Sequence, residues 1–233
     1  MLPSNPYTAM QRGFYDREGV TGNMNRENHR HHTTNPDYWT ILVGETEDPS
    51  YKEKTGLDFG CGCGRNVQNL IGRFKRMDGV DISQVLVEQA RANILRDGHS
   101  TESFQLYTCD GVSLNGIPDD EYDFLMSTIV LQHIAVYQIR YNYMKEFLRV
   151  LKPGGRLSFQ MGFGRRVGST PYYENNYSST TTNGGNDVSV TDPSQLTKDL
   201  ADIGFTEVEF VIREPFDDFH EKWIFVKARK PTS

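Results

Sequence analysis

Between Thr55 and Asn66 the chain reads Thr-Gly-Leu-Asp-Phe-Gly-Cys-Gly-Cys-Gly-Arg-Asn, and no other stretch limits the possible folds so strongly. A short apolar run, Leu57 to Phe59 with an acid inside it, meets glycines at alternate positions, and helix-forming residues follow from Asn66 to Ile71. The pattern predicts a strand, a tight turn and the start of a helix. Glycine permits positive φ and lets a ligand touch bare backbone. The helix start behind it offers free N–H groups and a partial positive charge. The spacing is G-x-G-x-G, not the G-x-G-x-x-G of dinucleotide folds. No Lys-Ser or Lys-Thr follows Gly64, which argues against a triphosphate cradle.

Two further acids stand at comparable places. Asp81 ends the apolar segment Gly79-Val80-Asp81, about 17 residues past Gly64, near the ~20-residue spacing at which an acid reaches a ribose hydroxyl in a Rossmann unit. Asp110 follows the short run Tyr107-Thr108-Cys109. Three strand ends, three carboxylates and one glycine turn form a constellation more specific than any of its members.

From Thr55 onward, strand and helix patterns alternate, the mark of parallel βαβ units. Strands are expected at Gly56–Phe59, Met77–Val80, Phe104–Thr108, Phe124–Ser127 and Arg156–Met161. Helices are expected at Asn66–Phe74, after an N-cap at Ser83, and at Tyr137–Val150, where Ile139, Tyr143, Phe147 and Val150 form one stripe. Lys152-Pro153-Gly154-Gly155 predicts a turn with a glycine at positive φ. Asp192-Pro193-Ser194-Gln195 combines an N-cap, a proline at the first helical position and Gln at N3, so a helix runs from there to Gly204. Phe205–Arg213 and Trp223–Arg229 are expected as an antiparallel hairpin at the sheet's edge.

This set resembles the class I S-adenosylmethionine-dependent methyltransferases, in their small-molecule type. The residues that carry the resemblance are Leu57 to Gly64, Val80-Asp81-Ile82-Ser83, Cys109-Asp110-Gly111, Tyr122-Asp123-Phe124, Leu131-Gln132-His133-Ile134 and Arg149-Val150-Leu151-Lys152-Pro153-Gly154-Gly155, in the family's order over roughly Thr55 to Met161. The resemblance implies a Rossmann-like, doubly wound α/β fold. Its seven-stranded sheet is mostly parallel with an antiparallel last strand, and an N-terminal cap segment precedes it. It implies S-adenosyl-L-methionine as cofactor and S-adenosyl-L-homocysteine as product. In it, Asp58 would sit under the methionyl part and hold its ammonium. Gly60, Cys61 and Gly62 would form the turn, and Asp81 with Ile82 would meet the ribose. Asp110, Gly111 and Val112 would meet the adenine, and Ser127, at the end of strand four, would also contact the cofactor. His133 would lie beside the transferable methyl, as a base or as pocket wall.

Cys61 and Cys63 are read as the small side chains a tight turn needs rather than as nucleophiles. The Pro-Cys pair of cytosine-C5 methyltransferases is absent after strand four, and so is Asn-Pro-Pro-Tyr; Ser127-Thr128-Ile129-Val130 stands there instead. The implied acceptor is therefore the O or N of a small molecule, with protein or RNA methylation, or a cofactor-binding subunit without turnover, as alternatives.

Composition sets the remaining bounds. A chain of 233 residues fits a single domain, organised as a cap segment at 1–53 and a methyltransferase domain at 54–233. A net charge of −6 without a dense Lys/Arg run does not favour nucleic acid as partner. Three cysteines without a paired framework predict free thiols in a reducing compartment. With no run approaching the ~18 apolar residues of a membrane helix and no signal-peptide core, a cytoplasmic location and no membrane partner are expected. The cluster at His29-Arg30-His31-His32 lacks the i, i+4 spacing of paired helical ligands, so no metal site is expected. Oligomeric state is left open. The stretch Gly162–Thr191, rich in Gly, Ser, Thr, Asn and Tyr, is expected to act as a lid. Tyr172, Tyr173 and Tyr177 would join Phe14, Tyr15 and Trp39 around the acceptor.

Overall fold

The computed structural model describes residues 6–21, 36–165, 168–178, 188–214 and 220–232. The His29–His32 cluster and residues 166–167 and 179–187 of the expected lid lie outside the described residues.

The chain opens with helices α1 (Pro6–Thr21) and α2 (Pro36–Val43). Strands and helices then alternate: β1 (Thr55–Phe59), α3 (Arg65–Leu70), β2 (Arg76–Asp81), α4 (Gln84–Arg96), β3 (Leu106–Thr108), β4 (Tyr122–Ser127), α5 (Tyr137–Val150) and β5 (Leu151–Phe163). The short strands β6 (Thr170–Pro171) and β7 (Val188–Ser189) pair with each other. Helix α6 (Pro193–Ile203), β8 (Thr206–Arg213) and β9 (Lys222–Arg229) complete the chain.

The main sheet has seven strands in the order β3-β2-β1-β4-β5-β9-β8. Strands β1 to β5 are parallel, and β9 is antiparallel to both of its neighbours, so the expected fold class holds. The terminal hairpin stands at the sheet's edge as expected. β9 sits inside the sheet and β8 forms the edge. The sequence contains the reason: Trp223, Ile224, Phe225 and Val226 are consecutive and all buried, which requires cover on both faces, whereas most of β8 is exposed or only half-buried.

Other boundaries shift for local reasons. Helix α3 stops at Leu70 instead of Phe74, because the chain turns at Gly72 and tucks Phe74 against Tyr51 and Phe124, with ring centroids 5.4 and 5.6 Å away. Helix α1 spans 16 residues of the polar N-terminal segment. β5 begins at Leu151, and the expected turn becomes an irregularity inside it: the register against β4 shifts between Tyr122 and Phe124, and Gly154 takes φ +76°. The caps at Ser83 and at the Asp192/Gln195 capping box form as expected.

The pleat of β1 sorts its side chains. Leu57 and Phe59 face α5, where Phe59 meets Tyr143 at 4.6 Å and Phe147 at 4.9 Å. Burying such side chains contributes about 1.5–3 kcal/mol each. Asp58, between them, must point to the opposite face, toward α3. The core thus anchors the strand and leaves one acid at its carboxyl end, the edge at which parallel-sheet folds bind ligands.

Candidate active site

Asp58 is 1% exposed. Its Oδ1 accepts a long hydrogen bond of 3.5 Å from Asn66 Nδ2, while Oδ2 is buried without a partner. Burial pushes its carboxyl up to about 7, against the lowering influence of Asn66 and of the Arg65 guanidinium. A buried carboxylate oxygen without a donor is costly unless a cation meets it. The donor set therefore fits the ammonium of an amino-acid moiety.

The turn after β1 is held open by backbone conformations that side chains disfavour. Gly60 and Gly62 have φ of +75° and +53°. A Cβ on Gly60 would come within 2.3 Å of Val130 Cγ2. Asp81 pins this turn to the next one: Oδ2 accepts from Gly62 N and Oδ1 from Ser83 N, each at 2.9 Å. Burial raises its pKa, opposed by these backbone N–H groups. Each oxygen keeps a lone pair for a hydroxyl donor, and Asp81 remains 8% exposed.

Asp110 lies at the end of β3 but its carboxylate serves its own loop. Oδ1 accepts from Val112 N (2.8 Å) and Ser113 N (2.7 Å), and Oδ2 from Ser113 Oγ (2.8 Å). This is an Asx-type turn. It presents Gly111, at φ +91°, beside Ile82: a Cβ there would meet Ile82 Cδ1 and Thr8 Cβ at 2.9 Å. Ser127 is fully buried and donates its hydroxyl to Phe59 O at 3.1 Å, so it ties β4 to β1.

Helix α1 lies across these strand ends. Arg12 donates from Nε to Ile82 O and from a terminal nitrogen to Cys109 O, both at 3.2 Å, and Asp16 accepts from Ser83 Oγ at 2.6 Å. The segment carrying His133 is clamped at three consecutive residues. Gln11 donates to His133 O (3.2 Å), the buried Arg140 donates to Ile134 O, and Ala135 N donates to Tyr7 Oη (2.7 Å). His133 itself is half-buried.

The cysteines of the turn are both buried, and burial pushes Cys61 well up and Cys63 to about 11, so both are thiols near neutral pH. The aromatics expected around one acceptor are divided. Tyr172 is in the core, bonded through its hydroxyl to Asp199 (2.9 Å); Tyr173 and Tyr177 are exposed. Phe14 packs edge-on against Tyr15. Trp39 lies on the opposite side, in a cleft between α2, α3 and β9 that it shares with Tyr38, Arg65, Asn66, Trp223 and Phe225. The cleft encloses about 360 Å³ with its open mouth included.

Residues 57–159 match the family model described as Methyltransferase domain. Over this segment, under half of the chain, the sequence is similar to a methyltransferase domain. An uncharacterized protein of Haemophilus influenzae is 30% identical over 87 residues, 37% of this chain and 34% of that protein. The chain thus spans about a third of the length of the curated relatives it matches. Phosphoethanolamine N-methyltransferase 2 of Haemonchus contortus, solved with phosphomonomethylethanolamine and S-adenosylhomocysteine, superposes with a TM-score of 0.64 at 16% identity, over 84% of this chain and 53% of that one. The [4+2]-cyclase SpnF superposes with 0.61 at 19% identity, over 82% and 81%.

Within this segment, the residues from the three strand ends meet along one edge, joined by the Asp81–Gly62 bond. Three contributors were not foreseen. Asn66 was read only as helix, although its place two residues after the last turn glycine put it within reach of Asp58. Arg12 and Gln11 belong to α1, and a polar helix gives no signal of where it docks.

Proposed function

We propose that the chain transfers a methyl group from S-adenosylmethionine to an oxygen or nitrogen of a small molecule. The observation that carries this reading is the buried, unpartnered Oδ2 of Asp58 beside a positive-φ glycine turn, at the carboxyl end of β1. The cofactor supplies an already activated methyl on a sulfonium. Asp58, oriented by Asn66, holds the ammonium; the backbone at Gly60 and Gly62 approaches the methionyl part; Asp81 accepts from the ribose hydroxyls. Because Asp110 is bonded to its own loop, the backbone at Gly111 and Val112, with Ile82, forms the adenine wall. Helix α1 serves as the cap and excludes water from these strand ends. The protein's task is then to hold the acceptor atom in line with the methyl carbon and sulfur. A hydroxyl acceptor must lose its proton as the bond forms, and His133 stands on a clamped segment suited to take it; an amine can lose its proton afterwards.

A fold alone does not fix a reaction, as the likeness to a [4+2]-cyclase illustrates. The test is incubation with methyl-labelled cofactor and, in parallel, a metabolite extract, RNA and protein. Label in a small molecule that depends on the chain supports the reading. Label only in RNA or protein, or in none of the three, overturns it.

A further inference from the structure

The cleft between α2, α3 and β9 has no part in holding the cofactor as described above, yet it adjoins that site. Asn66 lines the cleft and also bonds Asp58; Thr128 and Ile129, which line it too, directly follow the last residue of β4. Its other walls are rings: Tyr38 stacks on Trp223 with centroids 4.8 Å apart and Phe225 lies 5.2 Å from Tyr38.

The polar groups in it are one-sided. Gln160 is engaged at both ends, accepting from Ile129 N (2.9 Å) and donating to Gln132 (3.2 Å). Tyr38 donates its hydroxyl to Glu214 O at 2.7 Å. What remains is mainly donors. Trp223 is 2% exposed and its indole N–H is buried without a partner. Arg65 makes one long contact, from Nε to Asn66 Oδ1 at 3.4 Å, and forms no ion pair among the described residues. A guanidinium and a buried indole N–H on two residues that line one ring-walled cleft call for an acceptor-only group on a planar, apolar body. One cation among the lining residues matches a singly charged carboxylate better than a phosphate dianion.

We propose that this cleft is the methyl acceptor's subsite and that it takes a carboxylate carried on an aromatic ring. The inference rests on the methyl-transfer reading and deepens it.

Both tryptophans of the chain, Trp39 and Trp223, line the cleft, so intrinsic tryptophan fluorescence reports on it alone. The experiment titrates benzoate, and benzamide as its neutral counterpart, into protein saturated with S-adenosylhomocysteine, while calorimetry follows the homocysteine compound separately. A saturable fluorescence change with benzoate is expected, with benzamide at least about tenfold weaker. Arg65→Met should weaken benzoate at least about tenfold and weaken S-adenosylhomocysteine less, through the guanidinium's influence on Asp58 alone. Trp223→Phe, which keeps an aromatic ring but removes the indole N–H together with its five-membered ring, should weaken benzoate several-fold as read by the remaining Trp39, and serves should Arg65→Met fail to fold. Equal responses to benzoate and benzamide, no saturable response, or displacement of S-adenosylhomocysteine by benzoate would overturn the proposal. So would an Arg65→Met protein that loses S-adenosylhomocysteine, since Arg65 would then hold the cofactor's own carboxylate. Failure of the wild-type protein to bind S-adenosylhomocysteine would instead strike at the methyl-transfer reading.

Discussion

Asn66 holds one oxygen of Asp58 and leaves the other buried and bare. This pair connects the glycine turn to chemistry, because a single weak donor cannot offset the desolvation of a carboxylate. The folded chain keeps an acid poised near neutral pH, and a bound cation releases that cost.

The first prediction concerns stability without ligand. The Asp58 carboxyl is raised in the folded state to about 7 from 3.8, so the folded chain binds its proton more tightly than the unfolded one. Stability then falls as pH rises from about 4 through about 7, by an amount on the order of 4 kcal/mol. Asp58→Asn removes the penalty. Thermal unfolding should show the variant more stable than wild type at pH 8 and equal to it near pH 4. A variant less stable at pH 8 would mean that the carboxylate is stabilised by something other than a ligand.

The second concerns cofactor binding. Only the ionised carboxylate attracts the ammonium, so affinity for S-adenosylhomocysteine should rise with pH up to about 7 and level off above it. Below that point each pH unit should cost about tenfold, with a proton released on binding. Titrations in buffers of different ionisation heat detect that proton. A flat profile from pH 5.5 to 7.5 would remove Asp58 from the site.

The third concerns Asp81. Its carboxylate serves both Gly62 and Ser83, so Asp81→Ala should lower cofactor affinity by about 1.5–3 kcal/mol and also lower the melting temperature. Asp81→Asn keeps one acceptor and should fall between. Calorimetry with unchanged affinity in the alanine variant would sink the ribose assignment.

The fourth concerns His133. For a hydroxyl acceptor, His133→Ala should cut turnover by about 10²–10⁴-fold and leave cofactor affinity nearly unchanged. For an amine acceptor the loss should be mild. Full turnover on a hydroxyl acceptor, with the acid limb of the pH–rate profile intact, would make His133 pocket wall only.

The strong local patterns were legible in the sequence. The glycine turn, the Ser83 cap, the Asp192/Gln195 capping box and the stripe of α5 depend on near neighbours, and each formed where the residues specified it. What failed to show was tertiary. The insertion of β9 between β5 and β8 depends on which strand can be covered on both faces. The stretch from Gly162 to Thr191 reads as polar, yet Tyr172, Val188 and Val190 are buried, and the partners that hold Tyr172, Asp199 and Arg140, lie far along the chain. Asp110 was legible as a strand-end acid, but its Asx-type turn competes for the same oxygens that a base edge would use.

The most direct test of the central claim is calorimetric titration of S-adenosylhomocysteine into wild type and Asp58→Asn at pH 7.5. The account predicts stoichiometric binding by wild type and a loss of at least about tenfold in the variant, whose fold is intact. No binding by wild type, or equal affinity in both, would contradict it.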